Sequence, residues 1–328
     1  MTMTSQNRER IEYLDWLRAL AAGLVVIGHA RGSLVPGGAI GVSVFFVLSG
    51  YLIASILLRD GMMSLTNIAK FILRRLARIY PLYVVQIALV VVVFALFHRD
   101  RIGSVLDALP GLLTFTHDVP EWFGYGFGVL WTLAIEFWFY VTFPFFLWIA
   151  IATGRVIPCI LLGIVTSIAA KIFPFGGSTV QFYDQFLLGA LCAAANKYDL
   201  VPSFLAWPKL LAVCIVAIFL IAEIPFPATR GVIWFCQSFS TAVVTGVAVM
   251  AGHARRPKIT LPFIAFLGRI SYSTYLMHAV VLDVFFAVWH ISPIPVIIVT
   301  FFAASFTYYA IEMPVERQVH RKVRYGLA

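Results

Sequence analysis

Charge is scarce in this sequence. Only 12% of the 328 residues are Asp, Glu, Lys or Arg, whereas 61% are hydrophobic. That balance excludes an ordinary soluble globular protein and indicates a polytopic membrane protein. A formal net charge of +9 could suggest a nucleic-acid partner, but in a membrane protein it more often reflects Lys and Arg held on the cytoplasmic side.

Cysteine and the common sequence signatures of catalysis are also rare. Cys159, Cys192, Cys214 and Cys236 lie in or beside apolar stretches without paired or metal-ligand spacing, so we interpret them as small core residues. We find no Gly-rich phosphate loop, metal-ligand cluster or serine nucleophile elbow, and we expect no metal. No cleavable signal peptide is apparent. We also see no internal repeat, which argues mildly against the transporters that are built from inverted repeats.

Long apolar runs make up most of the chain. They predict an all-α, polytopic membrane helix bundle of about ten transmembrane helices, built as a single domain over residues 1–328. Residues 60–79 are basic and amphipathic, which predicts a separate helix on the inner interface, and residues 98–128 form the longest outer loop. The predicted spans are residues 14–33, 38–58, 80–97, 129–152, 156–173, 180–196, 208–224, 231–250, 264–288 and 293–312.

The distribution of basic residues predicts the orientation of the bundle. Most Lys and Arg fall in loops on the side of the termini, among them Arg59, Lys70, Arg155 and Arg269. By the positive-inside rule, both termini are cytoplasmic, and we expect a multi-pass protein of the inner (cytoplasmic) membrane. From the short tail after the last span, we expect no further domain.

Two polar residues interrupt the first span, Arg18 and His29. In a helix they lie about 16 Å apart along the axis. Ionisable groups inside a bilayer are costly and usually functional. A neutral imidazole can accept a proton from a hydroxyl, although His29 could equally be a helix-packing partner. Arg18 could contact an anion, pair with Asp15 or extend to the interface.

Arg74, Arg75 and Arg78 precede the third span. The i, i+3 spacing of Arg75 and Arg78 places them on one helix face, where paired guanidiniums suit phosphate oxygens. Membrane anchoring and anionic lipid binding are alternatives for such a cluster.

Glu136 interrupts the fourth predicted span at a depth that we expect to match that of His29. It could orient the imidazole and favour its charged form, as the acidic member of a catalytic set does. The alternative is a buried ion pair that fixes helix packing.

Tyr272, Tyr275 and His278 recur at i, i+3, i+6 within the ninth predicted span and form a polar stripe. Such a stripe fits either a wet cavity or interhelical hydrogen bonds. Asp184, at the outer end of the sixth span, could bind a polar acceptor or simply end a helix. We interpret Glu312 and its neighbours at the end of the last span as structural pairing.

Taken together, these segments resemble the acyltransferase family 3 membrane proteins, which O-acylate surface carbohydrates. The matching segments are YLDWLRALAA at 13–22, GVSVFFVLSGYLI at 41–53, WTLAIE at 131–136, ISYSTYLMH at 270–278 and EMPVER at 312–317. The Arg-x10-His arrangement of Arg18 and His29 and the pair Arg75 and Arg78 before Tyr80 complete the set. The similarity covers nearly the whole chain.

The resemblance implies an enzyme that moves an acyl group, usually acetyl, from acyl-coenzyme A (acetyl-CoA) to a carbohydrate hydroxyl. His29 and Glu136 would be catalytic, and Arg18, Arg75 and Arg78, with Arg74 assisting, would hold the coenzyme. The residues expected to contact the substrate are Trp131, Asp184, Tyr272, Tyr275 and His278. The aromatic run after Glu136 departs from the more polar stretch of many members. We also expect no C-terminal hydrolase-like domain of the kind that is fused in some members.

Two alternatives use the same intramembrane charges differently. A transporter or flippase of a lipid-linked sugar would use them as a relay, and a sensor or scaffold would need them only for structure. Within the acyltransferase hypothesis, direct transfer and an acyl-histidine intermediate both remain open. None of these hypotheses about function includes nucleic acid as a partner. The sequence leaves the oligomeric state undetermined.

Overall fold

A computed structural model describes residues 12–30, 37–60, 64–116, 127–172, 180–207, 209–224, 232–255, 260–288 and 293–324. Most of these residues are helical, and no β-strand occurs among them. The helices are α1 (Glu12–Ala30), α2 (Gly37–Asp60), α3 (Leu65–Phe97), α4 (Ile102–Leu113), α5 (Trp131–Ala152), α6 (Val156–Ile172), α7 (Tyr183–Lys197), α8 (Leu210–Ala222), α9 (Val232–Arg255), α10 (Pro262–Arg269), α11 (Ser271–Val288), α12 (Pro293–Thr307) and α13 (Met313–Arg324). A π-helical turn, Tyr308–Glu312, joins the last two.

Within these residues, five helical segments are long and apolar enough to cross a membrane: Gly38–Arg59, Leu65–Phe97, Trp131–Ala152, Phe235–Arg255 and Ile294–Val319. Many of their outward side chains are apolar, and Phe306 on α12 is 72% exposed. Such surfaces suit lipid rather than water. The all-helical class is therefore confirmed, while the count of ten spans stays a prediction.

Helix α2 packs closely against α7 at the centre of the bundle. Gly50 and Gly189 face each other there, and a Cβ at either position would collide with the backbone of the opposite helix, at Phe186 or at Val47. Small residues permit this close approach, which is common where helices pack inside membranes. Through these contacts α2 becomes a fixed wall for the cavity described below.

The predicted interfacial helix and the third span are one continuous helix. Ser64 caps α3, accepting a hydrogen bond from the Asn67 backbone N–H at 3.2 Å, and the helix runs through Pro81 to Phe97. The separate elements that we predicted for residues 60–79 and 80–97 are therefore wrong. A helix of 33 residues is about 50 Å long, which exceeds the thickness of the hydrocarbon core of a bilayer. The basic first half of α3 therefore extends beyond the thickness that its apolar second half can cross.

Other boundaries also differ from the predictions. The predicted ninth span breaks at Ile270 into α10 and α11, and the predicted outer loop contains α4. The last predicted span continues past Glu312 into α13. Of the cysteines, Cys192 and Cys214 are buried as expected, whereas Cys236 is exposed.

Candidate active site

A cavity lies between α1, α2, α3, α5 and α11. Its empty volume is about 850 Å³, counting the open space at its mouth. Arg18, Arg75, Arg78 and Glu136 lie in its wall, as does Tyr275 farther along. The other lining residues are Val42, Phe45, Phe46, Leu48, Ser49, Leu52, Ile53, Ile79, Thr132, Leu133, Tyr140, Ser271 and Tyr272.

Three arginines form one end of this cavity, which we call the arginine end. Arg75 and Arg78 share the cavity-facing side of α3, as their spacing predicted, and Arg18 reaches the same end from α1. The Arg75 guanidinium carbon lies 5.4 Å from the centre of the Phe71 ring and 5.9 Å from that of Tyr140. These ring contacts hold the guanidinium in place at the cavity wall.

Carboxylates accompany the arginines. The Oε1 atom of Glu136 accepts a hydrogen bond from Ser49 Oγ at 2.7 Å and another from the Tyr140 hydroxyl. Its charge acts on Arg75. On the π-helical turn, Glu312 Oε2 accepts a hydrogen bond from Ser273 Oγ at 2.8 Å. We did not predict the roles of Ser49 and Tyr140, although the i, i+4 spacing of Tyr140 from Glu136 was a usable signal.

Glu312, which we predicted to serve structural pairing with its neighbours, has a buried carboxylate near two of the arginines. It is 5% exposed, and its charge acts most strongly on Arg78 and also on Arg18. A buried carboxylate between helices must be matched by cations and hydrogen bonds, which these arginines and Ser273 supply.

Polar contacts between α5 and α11 form the middle of the cavity. The Thr132 Oγ1 and Tyr275 hydroxyl oxygens lie 2.7 Å apart, and the Tyr275 hydroxyl donates to the Val129 carbonyl at 2.9 Å. The Tyr272 hydroxyl donates to the Ile79 carbonyl of α3 at 2.6 Å. Tyr272 and Tyr275 line the cavity and also form interhelical hydrogen bonds, so both interpretations of the stripe apply to them, while their contact with a substrate stays a prediction.

Beyond Tyr275 lies a pair of histidines. The Nδ1 atom of His29 is 3.0 Å from Nε2 of His278. His278 is fully buried, and its ring centre is 5.7 Å from that of Tyr275. We call this region the histidine end. The predicted stripe of Tyr272, Tyr275 and His278 therefore runs from the arginine end to His29.

Glu136 does not pair with His29, contrary to our prediction. Among the described residues, its hydrogen bonds go to Ser49 and Tyr140, and His278 takes the place beside His29. The depth that we assumed for Glu136 is wrong. His29 contacts His278, which lies one turn beyond Tyr275, whereas on α5 it is Thr132 and not Glu136 that is level with Tyr275. Glu136 follows Thr132 by one helical turn, which places it about 6 Å nearer the arginine end.

Five of the predicted site residues are not part of the cavity wall: His29 and His278, which lie beyond Tyr275, and Arg74, Trp131 and Asp184. Arg74 is exposed, and the wall does not include it. Trp131 packs against Phe46 and Phe182, with ring centres 6.4 and 5.1 Å away. Asp184 is fully buried, and Lys171 Nζ lies 2.7 Å from its Oδ2. The Asp184 carboxylate therefore forms a buried ion pair between α6 and α7, outside the residues that line the cavity.

Within the described residues, no group of three or more His, Cys, Asp or Glu side chains could hold a metal ion. This arrangement offers guanidinium groups that can bind an anion at the arginine end and an imidazole that can accept a proton at the histidine end.

Comparison with known proteins identifies the family. A profile of the acyltransferase family 3, described as an acyltransferase domain, matches residues 11–312. The chain belongs to this family. The match begins before α1 and ends at Glu312, so it includes every helix that lines the cavity.

The curated relatives of this family member are larger proteins. Peptidoglycan O-acetyltransferase OatA of Listeria monocytogenes is 35% identical over 156 residues, covering 44% of this chain and 25% of OatA. Putative peptidoglycan O-acetyltransferase YrhL of Bacillus subtilis is 29% identical over 364 aligned positions, covering 97% of this chain and 56% of YrhL. The aligned segments thus cover about half the length of YrhL and a quarter of that of OatA. No solved structure matches the chain.

Proposed function

We propose that this family 3 acyltransferase moves an acyl group, acetyl in the first instance, from acyl-CoA to a carbohydrate hydroxyl. The names of OatA and YrhL make a glycan of the cell wall the first acceptor to test. Other surface polysaccharides, oligosaccharides and glycolipids are alternatives of the same chemistry.

The observation that carries this proposal is the continuity of one cavity from the three arginines to Tyr275, which contacts His278. Arg18 and His29 stand on the same helix α1, so the two ends are separated by about 16 Å. A donor with phosphates at one end and a thioester at the end of a long, thin arm matches this layout. Guanidiniums bind phosphate oxygens through paired N–H donors.

The chemistry follows from this placement. The nucleotide phosphates bind Arg18, Arg75 and Arg78, and the pantetheine arm passes Glu136 and Tyr275. His29 removes the proton from the acceptor hydroxyl, whose oxygen attacks the acyl carbon. As the C–O bond forms, the C–S bond breaks, and the imidazolium returns its proton to the coenzyme sulfur.

Glu136 has a different place in this scheme from the one predicted. Its carboxylate accepts hydrogen bonds from Ser49 and Tyr140 beside the Arg75 side chain. We propose that it holds these groups around the donor's arm instead of orienting His29.

We also propose the topology that this chemistry requires. Ten spans with both termini in the cytoplasm would bring the arginine end to the cytoplasmic side of the inner membrane, where acyl-CoA is made. His29 would then act deeper in the bilayer, where exclusion of water limits wasteful hydrolysis of the thioester. Residues 1–328 would form one acyltransferase domain.

The experiment uses the full chain, purified and reconstituted, with labelled acetyl-CoA and cell-wall glycan fragments. The His29→Ala variant should lose transfer because it lacks the base, yet acetyl-CoA should still raise its melting temperature as in the wild type. A His29→Ala variant with near-normal transfer would refute the catalytic assignment. Absence of any acetyl-CoA effect on the wild type would favour the transporter alternative.

A single turnover without acceptor separates the two chemical routes. Label trapped on the wild-type protein but not on the His29→Ala variant would exclude direct transfer and indicate an acyl-histidine intermediate.

A further inference from the structure

We infer that His278 is a positioning residue, which fixes the proton of His29 on Nδ1 and leaves Nε2 as the basic nitrogen. This inference rests on the proposed function, because it explains how His29 is prepared to act as a base. It assigns to a neutral histidine the role that we expected for Glu136.

The first step concerns His278. Its Nδ1 lies 3.3 Å from the carbonyl oxygen of Thr274, one turn earlier on α11. A carbonyl can only accept a hydrogen bond, so Nδ1 of His278 must be the donor. In the neutral ring, the other nitrogen, Nε2, is then an acceptor.

The second step transfers this constraint to His29. Nε2 of His278 faces Nδ1 of His29 at 3.0 Å. Because Nε2 accepts, Nδ1 of His29 must donate, and the neutral ring of His29 carries its lone pair on Nε2.

The geometry of the two rings supports this hydrogen bond. Their planes differ by 11° and their centres are 5.2 Å apart. That separation is close to the sum of the nitrogen–nitrogen distance and the two centre-to-nitrogen radii. The rings therefore lie almost edge to edge in one plane, which aligns the N–H bond with the accepting lone pair.

Burial makes the arrangement selective. His278 is fully buried, and Tyr275 packs against it. Reversing the tautomer of His278 would turn its Nδ1 into a second acceptor beside the Thr274 carbonyl and leave that buried contact without a proton. The Thr274 carbonyl on α11 thus determines, through His278, which nitrogen of His29 on α1 carries the proton.

The third step concerns the basic nitrogen itself. A Cβ at Gly38, in the first turn of α2, would lie 3.1 Å from His29 Nε2 and 3.3 Å from Cε1. Such contacts are tighter than ordinary van der Waals packing, so any side chain at residue 38 would press on the imidazole. A side chain at residue 38 would therefore crowd the nitrogen that is proposed to act as the base.

The chemistry balances with these assignments. The acceptor's hydroxyl proton moves to Nε2 as its oxygen bonds to the acyl carbon, while Nδ1–H stays bonded to His278. After the C–S bond breaks, the same Nε2 proton passes to sulfur, and His278 returns unchanged. A wrong tautomer would place a proton on Nε2 and prevent the first step.

The tautomer can be measured without any assay of activity. We would record nitrogen-15 solid-state NMR spectra of the full chain, labelled at its seven histidines, in lipid bilayers. The His29 signals are those that disappear in His29→Ala. We expect a protonated Nδ1 and an unprotonated Nε2 in the wild type, and a shift toward protonated Nε2 in His278→Leu. A wild-type His29 protonated on Nε2 would overturn the inference, even if His278→Leu does not fold.

Kinetics give an independent test. His278→Leu should lower kcat for acetyl transfer by about 100-fold, a loss typical of removing the orienting partner of a catalytic histidine. The KM for acetyl-CoA should stay within a factor of about two, because the arginine end is untouched. His278→Gln, whose amide oxygen can accept from Nδ1–H, should recover part of kcat. Equal loss in both variants, or a loss expressed in KM, would contradict the positioning role.

Gly38 has a matched control in Gly23 on α1, where an added Cβ meets nothing within 4 Å. Gly38→Ala should lower kcat without lowering the melting temperature by more than the Gly23→Ala variant does. If transfer survives in His29→Ala while the tautomer is as inferred, the proposed function fails and the positioning of the ring stands.

Discussion

Replacing Arg75 tests the arginine end, because Arg74 beside it provides a matched control. Both are arginines on α3, and they differ in what they face. Arg75 lines the cavity and contacts the Phe71 and Tyr140 rings, whereas Arg74 is exposed. We would compare Arg75→Gln with Arg74→Gln, which remove the same charge from adjacent positions.

The expected magnitude follows from the contact that would be lost. A hydrogen bond between a guanidinium and a phosphate is worth about 1.5–3 kcal/mol, which weakens the Kd for acetyl-CoA roughly 10- to 150-fold. The exposed charge of Arg74 is screened by solvent, and its loss should change Kd by no more than about twofold. Arg75→Lys keeps the charge without the planar fork and should fall between Arg75→Gln and the wild type.

Isothermal titration of acetyl-CoA into the full chain in lipid nanodiscs measures these constants. Thermal unfolding without ligand controls for the loss of the ring contacts, each worth about 0.5–1 kcal/mol. Equal weakening by Arg74→Gln and Arg75→Gln would refute the reasoning, since a diffuse basic surface would then suffice. Unchanged affinity in Arg75→Gln would refute it as well.

Two further predictions concern the helix packing that surrounds the cavity, and both are read from thermal unfolding in nanodiscs. Gly189→Ala should destabilise the protein by about 1–3 kcal/mol because its Cβ would enter the α2 backbone, whereas Gly103→Ala, in open space on α4, should not; equal effects would contradict the close crossing. Lys171→Met should cost about 3–5 kcal/mol because it leaves the Asp184 carboxylate, fully buried, without its cation. Adding Asp184→Asn should restore much of that loss, and no recovery would argue against an ion pair.

Part of the site was predictable from the sequence because it depends on spacing within one helix. The rise of an α-helix fixes the distance between Arg18 and His29 once both stand on α1, and α1 is indeed helical from Glu12 to Ala30. The shared face of Arg75 and Arg78 has the same origin. The stripe of Tyr272, Tyr275 and His278 on α11 was also predictable.

Relations between helices were not predictable in this way. The sequence gives no value for the relative height of two helices, which depends on where each begins and on how its side chains pack. Glu136 therefore appeared level with His29. The contact of Thr132 with Tyr275 instead places Glu136 one turn nearer the arginines than Tyr275. Asp184 was predicted either to bind a polar acceptor or to end a helix, and its ion pair was not foreseen because its partner Lys171 belongs to another helix.

Composition and helical periodicity thus determined by themselves that this chain is an apolar, all-helical protein with cations and an imidazole along one axis. Only the tertiary structure decided that a second histidine, and not a carboxylate, stands beside His29. The physical reason is that hydrogen bonds within a helix fix the axial position of each residue, whereas the neighbour that a side chain meets is fixed by packing between helices.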